Sequence, residues 1–413
     1  MEIFVFADWE ELKGPRLMGT LSVTHIKGRE VFSFTYSKQW LQNGIAQNID
    51  PDLQFYSGPQ YLAGAKPNFG TFLDSSPDRW GRVLMDRRES IQARKEERKA
   101  KSLFEEDYLL GVFDLNRMGA LRFKTDLDGN FLSDEKSLAA PPAASLRKLE
   151  EASLQLENNE LTDEELLKWI NMLIAPGASL GGARPKASVT DRTGHPWIAK
   201  FPSAKDKIDV GGWEMVANQL AINAGINMAA GMAKKFNSQF HTFLNKRFDR
   251  TETGNRIHFA SAMTILGHTD GVEGVSYLEL AEFIMQNGGN VNADLAELWR
   301  RIVFNIMIKN TDDHLRNHGF LLTPRGWILS PAYDVNPVYF GKGLTLNISE
   351  NDNSLDLDLA LSVIQYFRLD KSQAESIIAE VKNSVGNWKK ISAKYNIPNH
   401  ELQLMEPAFE LSV

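Results

Sequence analysis

Residues 310–320 read NTDDHLRNHGF, and this short polar stretch follows the apolar run RRIVFNIMIKN. Asp312 and Asn317 stand five positions apart in it, so one turned loop can bring a carboxylate and an amide to a single centre. Further along the chain, SPAYDVNP places Asp334 between two prolines. Carboxylate and amide oxygens are ligands that suit Mg²⁺. The three side chains therefore form a candidate metal-assisted catalytic centre.

The segments before this loop occur in the order that phosphoryl transfer requires. Gly181 and Gly182 permit a tight turn whose amides can approach phosphate oxygens, and Lys186 follows just beyond it. Lys200 lies in the strand-like stretch IAKF, and Glu214 stands near the start of a predicted helix, where it could pair with Lys200. Each feature alone also fits a hairpin turn, an exposed lysine, a first-turn acid or a helix cap. Their order in one chain favours a phosphotransferase.

Composition bounds the class of protein. The chain has 413 residues, 43% hydrophobic and 24% charged, so we expect two or three globular units and little disorder. The net charge of −7 argues against a main activity in holding nucleic acid. The absence of cysteine excludes disulfides, thiolate metal sites and cysteine nucleophiles. Because the first residues are acidic and no long apolar run occurs, we expect a soluble cytoplasmic protein.

Hydrophobic patterning predicts a mixed fold. The stretches MEIFVFA, GTLSVTHI and EVFSFTY alternate as strands of an antiparallel hairpin or meander, and residues 108–123 resume a strand-like pattern. A proline- and alanine-rich linker is predicted at 140–145, and the pattern beyond about residue 250 is helical. We therefore predict three domains: 1–144, β-rich; 145–250, an α/β part with the phosphate loop; and 251–413, helical.

Two further patterns have competing interpretations. Residues 77–101 carry eight basic residues from Arg82 onward, and we favour a helix whose basic face is ion-paired in solvent over a nucleic-acid contact. His314 and His318 have a spacing that suits a metal on a helix, but the glutamate of H-E-x-x-H is missing. A zinc protease is therefore disfavoured.

Several motifs in fixed order resemble the HipA-type serine/threonine kinases, the toxin components of bacterial toxin-antitoxin modules. The resemblance covers essentially the whole chain and rests on DRWGRVLMDRR, YLLGVFDLNRMGALRF, SLGGARPK, IAKFP, KRFDR, NTDDHLRNHGF and PAYDVNP. It implies an α+β, two-lobed protein-kinase-like fold with an extra N-terminal β-rich subdomain and an all-helical C-terminal lobe.

The resemblance also implies a role for each matching residue. Asp312 is similar to the catalytic base, and Asn317 and Asp334 to the magnesium ligands. Lys200 is similar to the lysine that anchors the ATP phosphates, with Glu214 as its helix partner. The predicted ATP site further includes a hinge at Lys246, Arg247 and Phe248, Tyr333 near the base, His314 in the loop, and a phosphate loop of Gly181, Gly182, Ala183, Arg184, Pro185 and Lys186. Ser179 occupies the position of the family's inactivating autophosphorylation site, where a phosphate would add charge beside the groups meant for ATP.

Partners follow from the same resemblance. Members of this family act on a translation factor or an aminoacyl-tRNA synthetase, are restrained by a small helix-turn-helix antitoxin of HipB type, and meet DNA through that antitoxin. We accordingly expect ATP and Mg²⁺ as cofactors and no membrane association. Two alternatives remain: a small-molecule kinase of the aminoglycoside phosphotransferase kind, which leaves residues 1–140 unexplained, and a non-catalytic co-repressor that binds the antitoxin.

Overall fold

The computed structural model describes residues 1–42, 48–158, 162–173 and 184–412. Contacts group the chain into two compact units. The N-terminal unit comprises Met1–Ala204 and Lys246–Thr269, and the C-terminal unit comprises Lys205–Asn245 and Asp270–Val413. These units do not test the predicted division into 1–144, 145–250 and 251–413, which stays a prediction. In the described part of the chain, no helix combines the length and the apolar character needed to cross a membrane.

The predicted N-terminal strands form one antiparallel sheet of five strands. In the first strand, Ile3, Val5 and Ala7 are buried in the core and alternate with more exposed residues, as the period-two geometry of a strand requires. Lys27 and Gly28 both have positive φ, 50° and 77°, which is the backbone that a two-residue hairpin turn needs. The sheet order is Gln60–Tyr61, Arg29–Tyr36, Arg16–Ile26, Glu2–Ala7 and Leu121–Lys124.

The strand-like interpretation of residues 108–123 is wrong for its first part. Glu105–Gly111 is a helix, and only Leu121–Lys124 is a strand. Three consecutive acids open the helix, where they stabilise the free amides and the helix dipole. The Asp107 carboxylate also accepts a hydrogen bond from the Phe104 amide at 2.9 Å. This start signal precedes the apolar run YLLGVF, whose short length does not separate a helix from a strand.

The basic segment is an ion-paired helix, as predicted. Helix Arg79–Lys95 begins after Asp78, whose carboxylate accepts a hydrogen bond from the Gly81 amide at 2.9 Å. Basic residues of the segment meet acids within the N-terminal unit in the pairs Arg82–Glu105, Arg88–Glu135, Arg94–Asp163, Arg98–Glu89, Arg98–Glu96 and Lys101–Asp107. This face is therefore largely matched by acids of its own unit.

The rest of the N-terminal unit adds short helices and strands. Thr162 begins one of the helices by exchanging hydrogen bonds with Glu165, a pattern that satisfies free amides at a helix start. The helices are Lys38–Gln42, Gly70–Asp74, Leu146–Asn158, Asp163–Leu173 and Ala262–Ile265. The strands are Lys186–Thr190 and Pro196–Lys200, which pair as a hairpin, and Phe259–Ser261.

The C-terminal unit is mostly helical, with its core along one long helix. Val291–Met307 buries Leu298, Trp299 and Ile302 completely. The other helices are Val210–Asn223, Tyr277–Asn287, Leu357–Ser362, Lys371–Val385, Trp388–Lys394 and Asn399–Met405. Strands Gly231–Lys234 and Thr242–Lys246 pair, as do Gly319–Thr323 and Gly326–Leu329. The last hairpin stands within the region expected to be all-helical, because a Pro-Arg-Gly turn divides two short apolar runs.

Candidate active site

The buried carboxylate of Asp313 anchors the loop that follows helix Val291–Met307. Its Oδ2 atom accepts hydrogen bonds from Tyr277 Oη at 2.5 Å and from Asn305 Nδ2 at 2.9 Å, and lies 2.8 Å from His318 Nε2. Burial opposes ionisation of Asp313, but the neighbouring His318 and the hydrogen bonds outweigh it and hold the pKa below its usual range. Asp313 is therefore a structural group with its oxygen already occupied.

The adjacent Asp312 has the opposite environment. Its side chain is exposed, although the atoms packed around it still remove part of its hydration. This desolvation raises the pKa of Asp312; nearby His314 lowers it, and the Asp334 and Asp313 carboxylates raise it further. Asp312 is thus a carboxylate that a second molecule can reach, close enough to Asp334 to sense its charge.

Asn317 is held with one oxygen available. Its Nδ2 atom donates to the Asp312 carbonyl at 3.0 Å, and its backbone amide donates to the His314 carbonyl at 2.8 Å. The Oδ1 atom is buried and has no hydrogen-bond partner among the described residues. A buried amide oxygen without a partner costs free energy unless a ligand, water or ion meets it. Asn317 therefore fits a metal ligand.

Asp334 lies in a strained and tightly held segment. Its φ is +56°, in the left-handed region that non-glycine residues seldom adopt. The Tyr333 hydroxyl donates to the Arg316 carbonyl at 2.7 Å, and the Ala332 amide donates to the Asn227 carbonyl at 2.7 Å. The first bond joins the segment to the 310–320 loop, the second joins it to the chain at Asn227, and together they hold the residues before Asp334 in place. Tyr333 is buried, and its predicted position near adenine stays a prediction.

Asn336 is a site residue that sequence reasoning missed. Its Nδ2 atom donates to Asp334 Oδ1 at 3.2 Å, and its own Oδ1 atom is buried without a hydrogen-bond partner among the described residues. Its backbone amide donates a hydrogen bond to Asn310 Oδ1 at 3.4 Å. The signal was present in the letters DVNP, two residues after Asp334. We therefore add Asn336 to the polar groups around Asp334.

The two loop histidines do not form a shared metal site. His318 Nε2 is engaged with Asp313, and His314 is half-buried with its Nδ1 atom unpartnered among the described residues. The described residues contain one group of metal-ligating side chains that stand close together, and neither histidine belongs to it. The predicted place of His314 in the ATP site stays a prediction.

The predicted phosphate-binding residues that the structure describes lie on a hairpin of the N-terminal unit. Lys200 ends strand Pro196–Lys200 and is half-buried opposite Lys186. Lys186, the last residue of the predicted phosphate loop, begins strand Lys186–Thr190, and its buried ammonium lies 2.6 Å from the Asp78 carboxylate. Pro185 accepts a hydrogen bond from the Phe201 amide. Arg184 donates to the Phe201 carbonyl at 3.4 Å.

The remaining residues of the predicted ATP site lie on a helix and in the predicted hinge. Glu214 is buried on helix Val210–Asn223 of the C-terminal unit. In the predicted hinge, Lys246 pairs with Glu252 at 2.9 Å and Phe248 packs against Phe259. The Arg247 side chain is buried among protein groups and its backbone amide donates to the Pro196 carbonyl at 3.0 Å, so the adenine contact stays a prediction. Four predicted residues lie outside the described part of the chain: Ser179, Gly181, Gly182 and Ala183.

The fold and the sequence place the chain among known proteins. The fold matches a chain in the solved complex of the Shewanella oneidensis MR-1 toxin-antitoxin system HipA, HipB and its operator DNA, with a TM-score of 0.67. The alignment covers 96% of this chain and 94% of that chain at 16% sequence identity, which establishes a shared fold. The predicted α+β fold of HipA type is thereby confirmed.

Sequence comparison gives the family. Residues 178–388 match the HipA-like C-terminal domain, and the chain belongs to the HipA-like family. A protein of Haemophilus influenzae described as a putative kinase is 30% identical over 128 residues. That match covers 29% of this chain and 37% of the relative, so the chain spans little more than a third of the relative's length.

Proposed function

We propose that the chain is a Mg-ATP-dependent protein serine/threonine kinase of HipA type and the toxin of a bacterial toxin-antitoxin module. The observation that carries this proposal is the contrast at the loop. One acid, Asp313, is buried with three hydrogen-bond partners on one carboxylate oxygen, whereas Asp312 is exposed and its pKa responds to the charge of Asp334. The Asp312 carbonyl accepts a hydrogen bond from Asn317, whose side-chain oxygen has no partner among the described residues. A kinase needs such a reachable base next to two oxygen ligands.

The mechanism assigns each of these side chains a task. The substrate hydroxyl attacks the γ-phosphorus of ATP while Asp312 orients it and accepts its proton, and ADP leaves. Asn317 Oδ1 and the Asp334 carboxylate would hold Mg²⁺, which offsets the negative charge of the phosphates when it is bound. Asn336 donates to Asp334 and so orients that carboxylate. Lys200 is proposed to contact the ATP phosphates, with Glu214 as its partner.

Finer parts of the proposal rest on family membership. We propose a substrate in translation, such as an aminoacyl-tRNA synthetase, and a HipB-type antitoxin through which the protein reaches DNA. The solved Shewanella relative is a complex of HipA, HipB and operator DNA, which supports such a partner. We also propose that phosphorylation of Ser179 inactivates the enzyme, since a phosphate there repels those of ATP.

The decisive experiment compares Asp312→Asn with Asp358→Asn, an exposed acid of the same unit. Both proteins are incubated with radiolabelled ATP, Mg²⁺ and bacterial lysate, in a Ser179→Ala background that separates target labelling from labelling at Ser179. We expect Asp312→Asn to lower labelling at least a hundredfold, because general-base and positioning effects each contribute about 10²-fold or more. Asp358→Asn should keep full activity. An Asp312→Asn protein as active as its control would refute the assignment, and labelling of a small molecule alone would favour the small-molecule kinase.

A further inference from the structure

A cavity of about 320 Å³ lies within the N-terminal unit, and its lining includes none of the proposed catalytic or ATP-site residues. Its volume is at the lower end of the range for pockets that hold small ligands. Apolar wall comes from Phe113, Ala140 and Pro196, and polar groups come from His195 and Arg250. The cavity thus offers both an apolar surface and groups that can fix an orientation.

His195 lines this cavity, and one of its ring nitrogens has no hydrogen-bond partner among the described residues. It is 6% exposed, and its Nε2 atom has no partner among the described residues. The ring position is set by its backbone amide, which donates to the Asp191 carboxylate at 2.9 Å. Since buried ring nitrogens are normally hydrogen-bonded, this atom indicates a group that the cavity receives.

Behind the cavity wall lies a cluster of charged side chains with excess positive charge. Five arginines, 117, 122, 247, 250 and 256, contact or lie close to three aspartates, 8, 114 and 249. The formal excess is therefore two positive charges. Burial lowers the pKa of Arg250 to about 9 and that of Arg117 and Arg256 to about 10, which reflects the cost of this uncompensated charge.

Hydrogen bonds connect this arginine cluster to the cavity wall. Arg250 itself lines the cavity and donates to the Leu115 carbonyl at 3.3 Å, and Arg247 donates to the Asn116 carbonyl at 2.5 Å. Two arginines of the cluster therefore lie at the cavity wall, where a low dielectric extends the reach of their positive potential. Glu252 also lines the cavity and interacts with His195, but its carboxylate is 86% exposed and pairs with Lys246, so water and that lysine weaken its opposing charge.

We propose that this cavity binds a small organic anion, with its charged oxygens at His195 and its apolar part against Phe113 and Pro196. Carboxylates and phosphate monoesters share this chemistry. The proposal concerns a second site in the N-terminal unit and does not depend on the proposed kinase activity.

Isothermal titration of the full chain with three probes tests the site. All three probes contain a phenyl ring. Phenyl phosphate and benzoate also carry an anionic group, whereas benzyl alcohol is neutral. We expect one or both anions to bind at least tenfold more tightly than the alcohol, and the tighter of the two shows whether a phosphate ester or a carboxylate is preferred. Equal affinity for all three probes, or no binding by either anion, would overturn the proposal.

Variants place the binding at this cavity rather than at a nucleotide site. His195→Ala should weaken anion binding about tenfold, whereas His400→Ala, an exposed histidine of the C-terminal unit, should leave it unchanged. Leu115 is 64% exposed at the cavity, so a charge can be added there without disturbing the core. We expect Leu115→Lys to strengthen and Leu115→Asp to weaken anion binding, each about threefold by Coulomb interaction in water. If neither Leu115 substitution changes the affinity for the anion, the proposal is contradicted, even if His195→Ala fails to fold.

Discussion

At the scale of single residues, the adjacent acids Asp312 and Asp313 have opposite environments within one loop: the first is exposed and the second is buried. The five-residue spacing to Asn317 was enough to single out Asp312 from the sequence. It did not reveal what Asp313 does, because the partners Tyr277 and Asn305 belong to helices whose approach depends on packing. Asn336 was missed for a similar reason: its oxygen becomes significant only once it is buried without a partner.

The burial of His258 predicts how the stability of the chain depends on pH. Burial lowers its pKa to about 3, whereas an unfolded histidine titrates near 6.5. The unfolded chain therefore takes up a proton below pH 6.5 while the folded chain does not, so stability is lost as pH falls from about 6.5 toward 3. We expect His258→Phe, which keeps a ring against Trp9, to remove about 2 kcal/mol of the loss in unfolding free energy between pH 7 and pH 5.

Urea unfolding at the two pH values measures this difference. His400→Phe provides the control, because that histidine is exposed and should leave the pH dependence of the wild-type chain unchanged. If His258→Phe and the wild-type chain lose the same free energy between pH 7 and pH 5, the buried histidine is not the group responsible.

At the scale of elements, sequence patterning located most helices and strands but misassigned their details where two signals competed. The alternating pattern of the N-terminal strands predicted these strands correctly. After Glu105, the apolar residues suggested a strand, although the acids at this position begin a helix. Lys186 was assigned to a phosphate loop from its distance to Gly182. A strand begins at this residue, as the pattern KASVT predicts, and its ammonium pairs with Asp78 at the start of a helix more than one hundred residues earlier. Such a long-range partner leaves no local pattern.

The Lys186–Asp78 pair gives an element-scale prediction. The two side chains are 3% and 1% exposed, so removing the ammonium leaves a buried carboxylate whose charge is no longer matched by this lysine. We expect Lys186→Met to lower the unfolding free energy by about 3–5 kcal/mol, as is usual when one partner of a buried pair is removed. Lys389→Met, which breaks an exposed pair with Glu406, should cost less than about 1 kcal/mol.

Denaturant unfolding and ATP titration together separate the two interpretations of Lys186. A structural lysine lowers stability in the absence of nucleotide. A variant with wild-type stability and weakened ATP binding would instead support the original assignment to the phosphate loop.

At the scale of the whole molecule, the sequence predicted a HipA-type α+β chain but not how its segments combine. Each of the two compact units is built from two separate segments of the chain, and the predicted division at residues 144 and 250 stays a prediction. Residues 246–269 belong to the N-terminal unit because Asp249 accepts a hydrogen bond from the Gly119 amide at 2.8 Å and Arg247 donates to the carbonyls of Asn116 and Arg117. Composition and periodicity carry no record of such pairings, since both read only neighbouring residues.

Asp249 should therefore be critical for the N-terminal unit. It is fully buried, and nearby Arg247 and Arg250 hold its pKa well below the usual range against the opposing effect of burial. Replacing it with asparagine preserves its shape but raises the positive excess of the arginine cluster from two charges to three. We expect Asp249→Asn to lower the unfolding free energy by about 3–5 kcal/mol. Asp358→Asn, at an exposed helix position, should change it by less than about 0.5 kcal/mol. Urea unfolding followed by circular dichroism distinguishes these outcomes, and equal midpoints for the two variants would show that Asp249 does not hold the discontinuous unit together.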